Sequence, residues 1–95
     1  MDYDFIEIAK KRLSLLEEIE HAYLFGSVLI ESKEPNDIDI LIIYSKYSDT
    51  LHRQVQELTK ELEANSGLPV DLTMLSGEEE KEVQFLKRIK ALQLK

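Results

Sequence analysis

The chain contains no cysteine. That absence excludes disulfides, thiolate catalysis and cysteine-ligated zinc together, so any bound metal must be held by oxygen ligands or histidine. Long apolar runs are missing too. The longest, Ile40-Leu41-Ile42-Ile43-Tyr44, is far too short to span a bilayer, and no membrane association is expected. Met1-Asp2-Tyr3-Asp4 is acidic where a secretory signal carries positive charge, and no uninterrupted apolar region follows. A cytoplasmic location is the resulting expectation. Basic charge is the scarcer sign, 12 Lys+Arg against 19 Asp+Glu for a net charge of -7. This balance disfavours extended nucleic-acid binding, in which Lys and Arg must neutralise phosphates. It is compatible with a basic protein partner. Internal repeats, low-complexity tracts and interdomain linkers are absent as well.

What remains is a chain of 95 residues, 43% hydrophobic and 33% charged, the composition of a folded globular protein rather than a disordered one. Its length allows one domain, residues 1–95, with one modest core. Phe5, Ile8, Ala9, Leu13, Leu16 and Ile19 recur at helical spacing and predict a helix from about Asp4 to Glu18. A short strand, His21 to Phe25, then ends at Gly26. After Ser27 the chain is expected to make one or two helical turns before a loop at Lys33-Glu34-Pro35-Asn36. A β-prone strand runs from Asp37 to Tyr44. Leu51, Val55, Leu58 and Leu62 form one stripe of a helix from about Ser48 to Asn65, ended by Ser66-Gly67. Leu68 to Leu75 reads as a strand, and Ser76-Gly77-Glu78-Glu79 as the start of a final helix reaching Leu92 or beyond. The order α-β-(α)-β-α-β-α predicts an α/β (α+β) fold, a small mixed β-sheet packed with helices.

The chemistry is concentrated between Leu24 and Tyr44. Successive strand residues point to opposite faces, so Asp37 and Asp39 share a face while Ile38 and Ile40 take the other. Carboxylates held that close repel, and each is harder to ionise without a compensating cation. Paired carboxylates suit hard divalent ions such as Mg2+, often held by one or two carboxylates plus substrate phosphates. Asp71 adds a third carboxylate inside a strand, where aspartate is unfavourable. With that strand beside the Asp37-to-Tyr44 strand, Asp71 would face the pair. A cluster of this kind can bind two metal ions about 4 Å apart for a phosphoryl displacement. Upstream, Gly26 lets backbone approach a phosphate, and the Ser27 hydroxyl with nearby amides can hydrogen-bond its oxygens at a helix start.

In Gly26-Ser27, Asp37-Ile38-Asp39 and Asp71 the chain resembles the nucleotidyltransferases of the DNA polymerase β superfamily, particularly the small stand-alone members called minimal nucleotidyltransferases (MNT). The resemblance covers most of the chain. It implies the nucleotidyltransferase fold and transfer of a nucleoside monophosphate, AMP from ATP, to an acceptor. It further implies two Mg2+ ions, or Mn2+ in their place, held by Asp37, Asp39 and Asp71 as catalytic residues, with the triphosphate contacted at Gly26 and Ser27. Minimal members often resemble the antitoxin of a toxin–antitoxin pair whose partner is a helical HEPN toxin, and the resemblance implies such a partner as acceptor. One departure stands out. Many minimal members follow the Gly-Ser turn with a small residue, arginine and glycine, whereas this chain has Val28-Leu29-Ile30-Glu31-Ser32, and Lys33 is the nearest cation.

Each feature also has a plainer reading. Asn36-Asp37 can serve a turn, leaving only Asp39 in the sheet; Gly-Ser marks many turns; Asp71 can be an edge-strand charge that discourages aggregation. His21 and His52 read as surface residues, Glu78-Glu79-Glu80 as a solvated helix start, and Tyr44, Tyr47 and Phe85 as core or boundary packing. Val83, Phe85, Leu86, Ile89, Leu92 and Leu94 give the expected final helix a broad apolar surface, open to packing on the sheet or to another chain, including a homo-oligomer. A non-catalytic protein of the same fold, neutralising or scaffolding a partner by binding, is the alternative to the enzyme; transfer to a small molecule is a third reading.

Overall fold

The computed structural model describes residues 4–29 and 35–95. Its first element, α1 (Asp4–Ser14), buries Phe5, Ala9 and Leu13, one residue per turn on one face. Lys11 and Arg12 occupy its last turn, where positive charge is stabilised by the negative end of the helix dipole. The helix stops before the expected Glu18. Turn bonds from the Leu15 and Leu16 amides to the Arg12 and Leu13 carbonyls close it, and the chain enters a strand at Ile19.

That strand, β1 (Ile19–Phe25), buries Ile19, Ala22 and Leu24. Ile19 and Ala22 are an odd number of residues apart and would face opposite sides of a regular strand. A register shift between Ile19 and His21 against the neighbouring strand is a bulge that inserts one extra residue, Glu20, and returns both side chains to the core. A short 3-10 helix, Gly26–Leu29, follows. It matches the start of the helical turns expected after Ser27; their continuation and Lys33 fall at residues 30–34, outside the described residues.

β2 (Ile38–Tyr44) is a central strand, buried from Ile40 through Ile43. α2 (Asp49–Ser66) begins at an N-cap, the Ser48 hydroxyl accepting from the Leu51 amide, and ends at Gly67 in the left-handed conformation. Leu51, Val55, Leu58 and Leu62 are its buried stripe. β3 (Val70–Ser76) leads into α3 (Gly77–Val83), whose capping box pairs the Ser76 side chain with the Glu79 amide and the Glu79 side chain with the Ser76 amide.

The long final helix is not there. α3 ends after Val83, with Gln84 in the left-handed region at φ 51°; a 3-10 turn, Phe85–Lys87, and a fourth strand, β4 (Ala91–Gln93), follow. The physical reason is the exposed backbone edge of β1, which β4 pairs and so covers. Leu92 within the strand is exposed, and Leu94, just beyond it, is buried. The Ala22 carbonyl accepts from the Leu94 amide at 2.7 Å, and the Lys95 ammonium donates to the Leu16 carbonyl at 2.6 Å.

The sheet order is β3-β2-β1-β4. β1 and β2 are antiparallel, β2 and β3 parallel, β1 and β4 antiparallel. α1 and α2 pack together, and their buried side chains join Ile38, Ile40 and Ile42 of β2 in one core cluster. Strand alternation therefore turns Asp39 to the other face of the sheet. Among the described residues no helix is long and apolar enough to cross a membrane.

Candidate active site

The parallel pairing of β2 and β3 sets Asp39 directly opposite Asp71. Paired residues on neighbouring strands share a face, so the two carboxylates meet. Asp37 lies just before β2, in a bend rather than in the strand itself, two positions from Asp39. One carboxylate oxygen from each of Asp37, Asp39 and Asp71 lies within 4.8 Å of the others. The reading in which only Asp39 enters the sheet and Asp37 serves a turn is right about the backbone. It does not separate the two side chains, which converge.

The cluster has the electrostatics expected of crowded anions. Desolvation, then a hydrogen bond and charge repulsion from Asp71, raise the Asp37 carboxyl above its ordinary value. Desolvation, then repulsion from Asp37 and Asp71, raise Asp39. A divalent cation would remove this repulsion, and an all-carboxylate donor set suits a hard ion. The residues therefore fit a metal of the Mg2+ class on chemistry as well as on spacing.

Gly26 follows β1 beside this cluster. Its φ is +84°, and a Cβ placed there would run into the Asp39 carboxylate oxygen. The position requires glycine twice over, for the backbone conformation and for the space that Asp39 fills. Gly26 and Ser27 also border a cavity of about 570 Å³ with Phe25, Leu29, Ile89 and Lys90, a size suited to a small-molecule ligand. Phe25 meets Phe85 edge to face, ring centroids 5.4 Å apart. A second cavity, about 420 Å³, is lined by α1, α2 and the turn after α1, including Arg12, Leu16 and Glu61; none of the three aspartates lines either cavity.

The remaining candidates lie elsewhere. His21 is exposed on β1, and exposed His52 shares a 2.9 Å hydrogen bond with the Tyr47 hydroxyl. Glu79 is drawn below the usual carboxylate range by its bonds to Ser76, and serves as a cap. Tyr44 is half-buried, its hydroxyl pushed up by desolvation and by Glu79; Tyr47 is exposed and packs on it edge to face. Lys90 lines the cavity although no sequence feature singles it out.

Comparison with known proteins follows the same lines. The sequence pattern of the family "Polymerase beta, Nucleotidyltransferase" matches residues 6–91. No curated protein sequence matches significantly. Among solved structures, the chain is similar to one in a toxin–antitoxin structure with AMP-PNP, at TM-score 0.65 and 26% identity over 97% of this chain and 73% of the other. It is similar to one in a mutant MntA-HpeT toxin–antitoxin structure, at TM-score 0.65 and 22% identity over 97% and 73%. A third likeness is to the structure of tri-AMPylated Shewanella oneidensis HEPN toxin in complex with MNT antitoxin, at TM-score 0.55 and 21% identity over 95% and 71%. With a family match across nearly its whole length and a fold shared with MNT antitoxin complexes, the chain belongs to the polymerase β nucleotidyltransferase family.

Proposed function

We propose that the protein is a metal-dependent nucleotidyltransferase that moves AMP from ATP onto a partner protein, a HEPN toxin, and thereby acts as its antitoxin. The observation that carries this reading is the Asp39–Asp71 register, with Asp37 alongside and Gly26 packed on Asp39. The AMP-PNP and AMPylated-toxin structures similar to this chain support the nucleotide and the acceptor.

Asp37, Asp39 and Asp71 would hold two Mg2+ ions. Bound there, the metals supply charge withdrawal from the phosphates and orientation of the attacking oxygen. The chain's own residues do the rest. Gly26 and Ser27 position the triphosphate, the glycine by giving its backbone access and the serine by hydrogen bonding. An acceptor hydroxyl oxygen attacks the α-phosphorus, an O–P bond forms, the α–β bridging P–O bond breaks, and pyrophosphate leaves. Asp71, the most exposed carboxylate of the three, takes the hydroxyl proton.

The test is transfer of radiolabelled AMP to a co-expressed HEPN toxin, with and without chelator. Asp39→Asn should abolish labelling while leaving the protein folded. Toxin neutralisation that persists without labelling, and without all three aspartates, would instead establish the non-catalytic binder, the reading that the missing arginine favours.

A further inference from the structure

Val28-Leu29-Ile30-Glu31-Ser32, directly after the Gly-Ser turn, contains no cation, yet a triphosphate beside three carboxylates needs positive charge. The fold brings one from the far end of the chain. β4 runs antiparallel to β1 with Phe25 opposite Ala91. Gly26 follows the last paired residue of β1 and Lys90 precedes the first of β4, and both line the cavity that includes Ser27. On its other side β1 pairs Phe25 with Asp39 of β2. The Gly-Ser turn is thus flanked by carboxylates on one side and an ammonium on the other.

We propose that Lys90 is a nucleotide-binding residue whose ammonium contacts the phosphates of a nucleoside triphosphate held at Gly26 and Ser27. The proposal rests on the nucleotidyltransferase reading above. Lys90 is the charged residue among those lining the cavity; Phe25, Leu29 and Ile89 supply apolar wall. Lysine suits the task as a compact charge with three rotatable donors. Lys87 and Arg88 are exposed, as Lys90 is, but do not line this cavity, which makes Lys87 a matched control of the same charge.

The experiment is calorimetric titration of AMP-PNP with Mg2+ into the full chain and into Lys90→Met, Lys90→Arg and Lys87→Met, all compared for melting temperature. Loss of one charge-assisted hydrogen bond should weaken binding by about tenfold in Lys90→Met. Lys90→Arg should recover most of the affinity, and Lys87→Met should bind as the unaltered protein does. Equal affinity in Lys90→Met, or an equal loss in Lys87→Met, overturns the assignment of Lys90 while leaving the nucleotidyltransferase reading in place. Failure of the unaltered protein to bind AMP-PNP overturns that reading, and the assignment with it.

Discussion

Substituting Gly26 by alanine should damage the protein in two separable ways. The first is conformational: at φ +84° a residue with a Cβ is strained by about 1–2 kcal/mol. The second is a collision. The new methyl would overlap an Asp39 carboxylate oxygen and lie 3.1 Å from its Cγ and 3.3 Å from its Cβ. Forcing such a contact in a packed site costs about 1–3 kcal/mol. Gly67 provides the control, because its φ is +73° and nothing lies within 4 Å of a Cβ there. Gly67→Ala should carry the conformational cost alone. With each kcal/mol worth about 4–8 °C in a domain of this size, thermal denaturation should place Gly26→Ala at least about 4 °C below Gly67→Ala. In an Asp39→Ala background the overlapping carboxylate is gone, and the Gly26→Ala penalty should shrink toward that of Gly67→Ala. The coupling between the sites should be about 1–3 kcal/mol. Nucleotide binding with Mg2+ should fail in Gly26→Ala and survive in Gly67→Ala. Equal melting temperatures for the two glycine variants, with no coupling to Asp39, would refute the claim that Gly26 is required by the carboxylate beside it.

The carboxylate cluster makes a prediction about pH. Because folding raises the Asp37 and Asp39 pKa values, the native protein holds more protons than the unfolded chain over that window. The stability these groups contribute is present in acid and is lost as pH rises through the folded values. In chelator, Asp39→Asn should therefore melt higher than the unaltered protein at neutral pH and lose that advantage below the ordinary aspartate range; a lower melting temperature at neutral pH would contradict the crowding. Ser76→Ala removes the side-chain half of the α3 capping box and should lower stability by about 1 kcal/mol in urea titration. Leu94→Ala empties a nearly buried site at the end of the chain and should cost about 2–5 kcal/mol. An unchanged denaturation midpoint there would mean that the segment does not dock against the core.

How legible these features are in the sequence depends on how local their cause is. α2 is written into its own residues, a serine cap, a four-residue stripe and a terminal glycine, and the structure places its ends within a residue of those signals. The Asp39–Asp71 meeting is a long-range pairing, but two apolar strands joined by one helix leave few alternatives to adjacency. The last segment was different. Val83, Phe85, Leu86 and Ile89 imitate a helical face, and neither glycine nor proline marks the break at Gln84. What ends α3 and straightens Ala91–Gln93 is the open edge of β1, a partner that local periodicity cannot reveal. Lys90 was hidden for the same reason, since its neighbourhood with Gly26 exists only through the β1–β4 register. The bulge at Glu20 is likewise a property of the β1–β2 pair.

The same topology explains why so small a chain can hold its carboxylates in place. Asp39 is flanked along the backbone by Ile38 and Ile40, both fully buried, and its strand is hydrogen-bonded on both sides. Its Cα therefore has little freedom to relieve repulsion by moving away from Asp71. Asp71 follows Val70, nearly as buried, whose amide donates to a Glu63 carboxylate oxygen of α2 at 3.0 Å. The core on the helix-covered face thus keeps like charges together on the opposite face. The repulsion that raises Asp37 and Asp39 is the consequence, and a bound cation would convert it into attraction without requiring the sheet to rearrange.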